Sequence, residues 1–204
     1  MKVLLINGSP NEKGCTYTAL SEVAKTLNEQ GIETQIFHIG KKAVHGCIDC
    51  NACQKLRKCV FNDDVANEIL ALMQKADGVI IGSPVYYAGP NGALCALLDR
   101  VFHSSKGTLA FKPAAAVVSA RRSGTTATFN RLNMYFTMNR MPVVSSQYWN
   151  GVHGFTPEDV LKDEEGLQTM RTLGYNMAWM LKNIESGKQE LPKIEPRKST
   201  HFIR

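Results

Sequence analysis

Lys2-Val3-Leu4-Leu5-Ile6-Asn7-Gly8-Ser9-Pro10-Asn11-Glu12-Lys13-Gly14-Cys15-Thr16-Tyr17-Thr18 is the stretch that decides the fold class. Residues 2–7 form a short apolar run, long enough for a buried strand and far too short for a membrane span. The run breaks at Gly8-Ser9-Pro10. From 16 to 28 the apolar residues Leu20, Val23, Ala24 and Leu27 then recur at helical spacing, until Gly31 stops them. A buried strand, a turn rich in glycine and hydroxyls, and a helix make the first half of a βαβ unit.

The same rhythm continues outward. Residues 33–39 alternate polar and apolar side chains and read as a strand. Asp63 and Asp64 are placed to cap a helix over 65–75. Strands are expected at 78–83, 114–119 and 142–144, and helices at 93–102, 125–139 and 164–184. Strands alternating with helices imply right-handed crossovers and a parallel sheet covered on both faces. The expected fold is therefore α/β: a doubly wound, five-stranded parallel sheet in the order 2-1-3-4-5. There are no repeats or low-complexity linkers. Residues 1–186 read as one domain with a cysteine-rich insertion at 41–62. Residues 187–204 read as a basic tail carrying Lys193, Arg197, Lys198 and Arg204, either an arm that wraps a partner subunit or a disordered end.

Bulk properties narrow the function. The chain has 204 residues, 44% hydrophobic and 21% charged, which suits one globular domain with a full core. It shows no apolar run of membrane-spanning length and no signal peptide, so a cytoplasmic location without membrane attachment is expected. A net charge of +6 favours anionic cofactors. It is too dispersed for nucleic acid, because no basic stripe with interleaved aromatics exists.

In a doubly wound sheet, ligands bind beyond the carboxyl ends of the strands at the switch point. Three loops meet there. The first, residues 8–18, opens a helix, and a helix N-terminus suits a phosphate. It is not a nucleotide-triphosphate loop, since Cys15 stands where that motif needs lysine. The alternative is an ordinary tight turn. The second loop, residues 83–92, has two tyrosines and two prolines, a rigid lip on which a planar heterocycle can stack. The alternative is that Tyr86 and Tyr87 pack over the sheet edge. The third loop brings Arg121, Arg122 and Gly124. A guanidinium there would stabilise an anionic reduced ring or receive a nicotinamide dinucleotide phosphate, unless both arginines are simply solvated.

GSPNEKGCTYT after a strand, then IIGSPVYYAGPNGALCALLDR, then VVSARRSGTTA resemble the NADPH-dependent FMN reductase and iron–sulfur flavoprotein branch of the flavodoxin-like superfamily. The resemblance covers about residues 1–145, and the second motif is its most specific part. It implies FMN, with the phosphate held by Ser9, Thr16, Tyr17 and Thr18 and a further cofactor contact at Asn11. It also implies a ring wall of Pro84, Val85, Tyr86 and Tyr87, and further contacts at Ser119, Arg121 and Gly124. It departs from the family at Cys15, where an asparagine is common. The reaction implied is hydride transfer from NAD(P)H to the flavin, then reoxidation by a quinone, azo compound, free flavin or metal ion. No protein acid or base is strictly required.

The segment Cys47-Ile48-Asp49-Cys50-Asn51-Ala52-Cys53, with Cys59 beyond it, has the spacing C-x₂-C-x₂-C-x₅-C. Consecutive C-x₂-C-x₂-C is the bacterial ferredoxin manner of wrapping a [4Fe–4S] cube, although Val60 stands where ferredoxins place proline. It resembles the iron–sulfur flavoprotein pattern, which implies a cluster near the flavin that passes single electrons. Zinc is a weaker match, because its knuckles are usually separated. A redox disulfide and four plain thiols are the remaining alternatives. Cys15 and Cys95 are unconnected to this set, and Cys95 is expected in the core.

Residues 147–154 form an aromatic, glycine-rich loop expected to cover a flavin, either its own or that of a neighbouring subunit in a homodimer or homotetramer with FMN near the interface. His153 is the only residue there able to act as an acid, or else a hydrogen-bonded loop residue. Asp159, Asp163, Glu164 and Glu165 are expected to cap and charge the last helix. Two other functional classes remain open: an electron relay between ferredoxin and a partner, and a phosphate-sensing domain without a cofactor.

Overall fold

The computed structural model describes residues 1–187, 190–192 and 195. The basic residues of the tail expected at 187–204, Lys193, Arg197, Lys198 and Arg204, therefore lie outside the described residues. The order is β1 (Lys2–Asn7), α1 (Cys15–Glu29), β2 (Glu33–His38), α2 (Cys53–Leu56), α3 (Ala66–Lys75), β3 (Gly78–Tyr86), β4 (Gly89–Pro90), α4 (Gly92–Ser105), β5 (Ala114–Ala120), α5 (Thr125–Met138), β6 (Gly151–His153), α6 (Pro157–Val160) and α7 (Glu164–Gly187). The sheet runs β2-β1-β3-β5-β6, all parallel, and β4 pairs antiparallel with β3 as a small hairpin. Counting only the parallel strands, this is the expected 2-1-3-4-5 order.

Strand alternation explains the two-sided core. Val3 and Leu5 face α1 and α7, while Leu4 and Ile6 face α3 and α4. Both sets are fully buried, which is why β1 reads as a continuous apolar run. In β5 the alanines at 114–116 have no long side chains, so helices on both sides approach closely.

The expected strand at 142–144 does not form. Val143 makes only an isolated bridge to Ala114, and the edge strand is Gly151–His153, inside the segment expected to be a loop. The chain pairs with the start of β5, leaves the sheet, and returns at its end, where the Val118 amide donates to the Asn150 carbonyl at 2.9 Å. Periodicity cannot see this, because each contact is only two or three residues long. The acidic residues also divide differently. Asp159 closes a capping box with Thr156 on the separate helix α6, whereas Asp163 Oδ1 accepts from the Gly166 amide at the start of α7.

Candidate functional site

The three switch-point loops meet at the carboxyl ends of β1, β3 and β5. Gly8 starts the first. Its amide donates to the Gly82 carbonyl at 2.8 Å, and an added Cβ would lie 2.4 Å from Leu94 Cδ2 and 2.7 Å from the Gly82 oxygen. Only glycine allows that approach. Asn7 braces the loop from within: its Oδ1 accepts from the Ser9 amide, and its Nδ2 donates to the Glu12 carbonyl. Ser9 is buried, with its Oγ accepting from the Asn11 amide and its carbonyl bonded to His38 Nε2 at 2.8 Å. Asn11 is exposed, and Tyr17 and Thr18 are half-buried. The residue capping α1 is Gly14, and no side chain caps the helix. The first-turn amides of α1, with the partial positive charge of the helix end, therefore suit an anion.

The Thr16 side chain is engaged elsewhere, while its amide is one of those first-turn donors. Thr16 is 1% exposed, and its hydroxyl is bonded to Ser119 Oγ at 2.8 Å. Two residues expected to touch the cofactor thus touch each other and tie the first loop to the third.

The second loop is the β3–β4 hairpin. Val85 pairs with Pro90 and Tyr86 with Gly89, leaving a two-residue turn of Tyr87 and Ala88. Both are left-handed, at φ 48° and 59°. That is the backbone of a type I′ turn, which glycine and asparagine normally supply. Strain of this kind concentrates at ligand-facing sites. Tyr87 is wholly exposed and Tyr86 nearly half exposed, while Pro84 and Val85 are half-buried. The aromatic lip projects into solvent instead of packing over the sheet. Gly124 in the third loop lies against it: φ is +91°, and an added Cβ would fall 2.8 Å from Val85 Cγ1 and 2.9 Å from Ala88 Cα. Arg121 and Arg122 are exposed, and the Arg121 guanidinium lies 5.8 Å from the Phe155 ring centroid.

Sequence reasoning missed Asn91. It is 7% exposed and joins the loops: Nδ2 donates to the Gly8 carbonyl at 2.7 Å, its amide donates to Ser83 Oγ, and Oδ1 accepts from the Ala93 amide to cap α4. An asparagine directly before a helical run was the available signal.

The four cysteines of the insertion line one small cavity of about 20 Å³, with Phe61, Arg100 and His103. Asp49 and Asn51, between the first three, are left-handed at φ 51° and 57°. Asx residues tolerate that conformation, and the two turns fold the C-x₂-C-x₂-C loop onto itself. Cys47 and Cys50 are exposed, Cys53 is buried, and all six cysteines of the chain are free thiols. Among the described residues no three His, Cys, Asp or Glu side chains are placed to hold a single metal ion. A cube, which takes one thiolate at each iron, needs donors spread more widely than one ion does.

Arg100 anchors this insertion and was also missed. Its Nε donates to Cys59 Sγ at 3.1 Å, Nη1 to the His45 carbonyl at 3.1 Å and to Asp64 Oδ2, and Nη2 to Asp64 Oδ1 at 3.0 Å. Asp64 Oδ1 also accepts from the Ala66 amide at the start of α3, although the residue at the cap position itself is Val65. Asp63 instead pairs with exposed His45. Burial would raise the Asp64 carboxyl, but the bonds from Arg100 and the Ala66 amide outweigh it and hold it below the usual range. Cys95 is half-buried, not core, and burial pushes its thiol up.

The segment at 147–154 lies beside the loops: the Gly154 amide donates to the Ala120 carbonyl at 3.0 Å, and the Cys15 thiol lies 3.7 Å from the Gly154 carbonyl. With Val118 and Thr125 it walls a cavity of about 140 Å³ between α5, β6 and the start of α7. Asp163 and Glu165 line that cavity, which disfavours a phosphate. The His153 amide donates to Asp163 Oδ2 at 2.6 Å, and its ring Nδ1 lies 3.9 Å from the same oxygen. The switch point, with its uncapped helix, exposed aromatics and arginines, is the better candidate for an anionic, planar cofactor.

Comparison with known proteins agrees. Residues 1–156 match the family described as NADPH-dependent FMN reductase. An iron–sulfur flavoprotein of Methanocaldococcus jannaschii is 36% identical over 196 residues, covering 91% of this chain and 100% of the relative. The structure of RosB with a bound 8-demethyl-8-formylriboflavin-5'-phosphate superposes with a TM-score of 0.70 at 15% identity, over 100% of this chain and 94% of that one. A flavodoxin from the domain Archaea superposes at 0.61 and 15% identity, over 89% of this chain and 99% of that one. At such identities the superpositions establish the fold, which is flavodoxin-like.

Proposed function

The chain belongs to the NADPH-dependent FMN reductase family, and from that premise we propose that it is an FMN-dependent NAD(P)H oxidoreductase with a four-iron cluster in its cysteine insertion. The observation that carries the flavin half is the convergence of three loops on the uncapped N-terminus of α1. The amides there bind the terminal phosphate. The hairpin of Tyr86 and Tyr87 orients the ring, and Gly124 fixes the hairpin's position. Arg121 supplies a permanent positive charge at the mouth of the site, suited to a reduced anionic ring or a dinucleotide phosphate. Bound FMN supplies the hydride-accepting centre. The quinone, azo, flavin or metal acceptor approaches over the exposed lip.

Four free cysteines on one cavity wall, at ferredoxin spacing, support the cluster. They also favour a second reading, an electron relay fed by ferredoxin. Anaerobic mixing separates the two. Rapid bleaching of bound flavin by NADPH or NADH supports the reductase, and bleaching only by reduced ferredoxin supports the relay. A protein that takes up no FMN rules out both.

Gly124→Ala tests the arrangement of the loops. Its Cβ collides with Val85 and Ala88, and alanine at φ +91° adds backbone strain of about 1–2 kcal/mol. FMN affinity is expected to fall about tenfold, equivalent to about 1.4 kcal/mol, in a fluorescence titration. Unchanged affinity removes the hairpin from the site.

Assembly as a homodimer or homotetramer is part of the proposal. Trp179 and Tyr175 on α7, with Met134 and Met138 on α5, leave large apolar side chains exposed, as interfaces require. No described helix is long and apolar enough to cross a membrane.

A further inference from the structure

We propose that Arg100 tunes the cysteine site: its Nε–H holds the Cys59 sulfur and makes a cluster bound there easier to reduce. The inference rests on the cluster reading above and adds to it a residue outside the ligand set.

Arg100 is 2% exposed, on a helix otherwise buried through Leu94, Leu97, Leu98 and Val101. Burying a guanidinium is costly unless its charge and donors are all answered. Asp64, whose side chain is shielded from water, answers the charge through the two terminal nitrogens. An ion pair alone would leave Nε without a purpose. Instead Nε points at Cys59 Sγ at 3.1 Å, while Nη1 also takes the His45 carbonyl. The Phe61 ring, stacked on His45, lies 5.2 Å beneath the guanidinium. One side chain of α4 therefore grips the insertion at His45, Cys59 and Asp64.

The choice of acceptor is informative. A neutral thiol is a weak acceptor, and a buried guanidinium N–H spent on one gains little. A thiolate is a strong acceptor, and a cluster ligand is a thiolate. Lysine could match the charge of Asp64 but could not serve sulfur and carboxylate from one rigid fork.

A cluster that takes up one electron, from reduced flavin or reduced ferredoxin, places more negative charge on its sulfurs. The donor loses that electron, no bond breaks at Arg100, and its proton stays on nitrogen. The N–H···S bond strengthens in the reduced state, so it raises the potential. Asn67 holds the same cysteine by its backbone, accepting from the Cys59 amide at 2.8 Å and donating to its carbonyl at 3.0 Å. Cys59 thus stays in place when the side-chain bond is removed.

The test compares the full chain and Arg100→Lys after anaerobic reconstitution with iron and sulfide, by iron analysis and by a redox titration followed by EPR. Both proteins are expected to hold about four irons. The variant's reduction equilibrium is expected to fall at least tenfold, or about 59 mV for a one-electron couple. Wild-type protein made with ¹⁵N-arginine is expected to show a ¹⁵N coupling on the reduced signal by pulsed EPR, absent from the variant. If the variant fails to retain iron, that coupling in the wild type decides alone. Full iron with an unchanged midpoint and no ¹⁵N coupling overturns the role of Arg100 and leaves the cluster standing. No iron in the wild type overturns the cluster reading and this role with it, and the iron count tells the two failures apart.

Discussion

Asp64→Ala is expected to lower stability by about 3–5 kcal/mol, because it leaves a guanidinium buried without its counter-charge. Arg100 and Asp64 have side chains 1% and 2% exposed, so water cannot substitute for the lost carboxylate. The variant also loses the acceptor of the Ala66 amide at the start of α3. Urea unfolding followed by circular dichroism measures the loss. The double variant Asp64→Leu/Arg100→Met is expected to recover much of it, since two apolar side chains replace two charges in the same space. A single-variant loss below about 1 kcal/mol, the size of an exposed ion pair, would show that the pair is hydrated and that its burial is not what holds the insertion. The same pair sets an acid limit. A carboxyl depressed in the folded state contributes stability above its unfolded value, and that contribution disappears as pH falls through the lower folded value. Stability should therefore decline from about pH 4 downward, the ordinary aspartate value. Hydrogen exchange in residues 45–64 should speed up with that decline.

Asn91→Ala is expected to cost about 2–4 kcal/mol and to loosen the flavin site as well. Two terms contribute. The cap on α4 is worth about 0.5–2 kcal/mol, and the Gly8 carbonyl, buried at the base of the first loop, loses its donor at about 1–3 kcal/mol. Asn91→Asp separates the terms. It keeps an acceptor for the Ala93 amide but sets a carboxylate against the Gly8 carbonyl, so it should restore the cap and still disturb the loop. The expected pattern is that both variants weaken FMN binding, while only Asn91→Ala loses helix protection in hydrogen exchange. Normal FMN affinity in both would detach the first loop from the second and remove Asn91 from the flavin site.

The course of the chain explains why some of this was legible. Val3–Ile6, Val79–Ile81 and the run at 114–118 are apolar without interruption, and only a strand covered on both faces tolerates that, so the parallel sheet could be read directly. The edge strand Gly151–His153 was not legible, since three residues carry no period and its partner in β5 lies over thirty positions away. The same holds within the site. The loop at 8–18 announced itself by glycines and hydroxyls, yet the Thr16 hydroxyl is bonded to Ser119, more than a hundred positions away, which nothing local reveals. The spacing of Cys47, Cys50, Cys53 and Cys59 was plain, but nothing local revealed that Arg100, forty-one residues beyond Cys59, would reach the last of them.

The amino-acid sequence alone determined the alternation of strand and helix, the parallel order that follows from it, the glycine-rich loop at its switch point and the set of four thiols. Those properties are local, written in periods of two and 3.6 residues and in short motifs. Tertiary structure alone decided which polar side chains became buried and what answered them: Thr16 by Ser119, Gly8 by Asn91, Cys59 and Asp64 by Arg100. A buried polar group is held by whatever the folded chain brings within about 3 Å of it, and residues distant in sequence become neighbours only when the sheet closes and its helices pack.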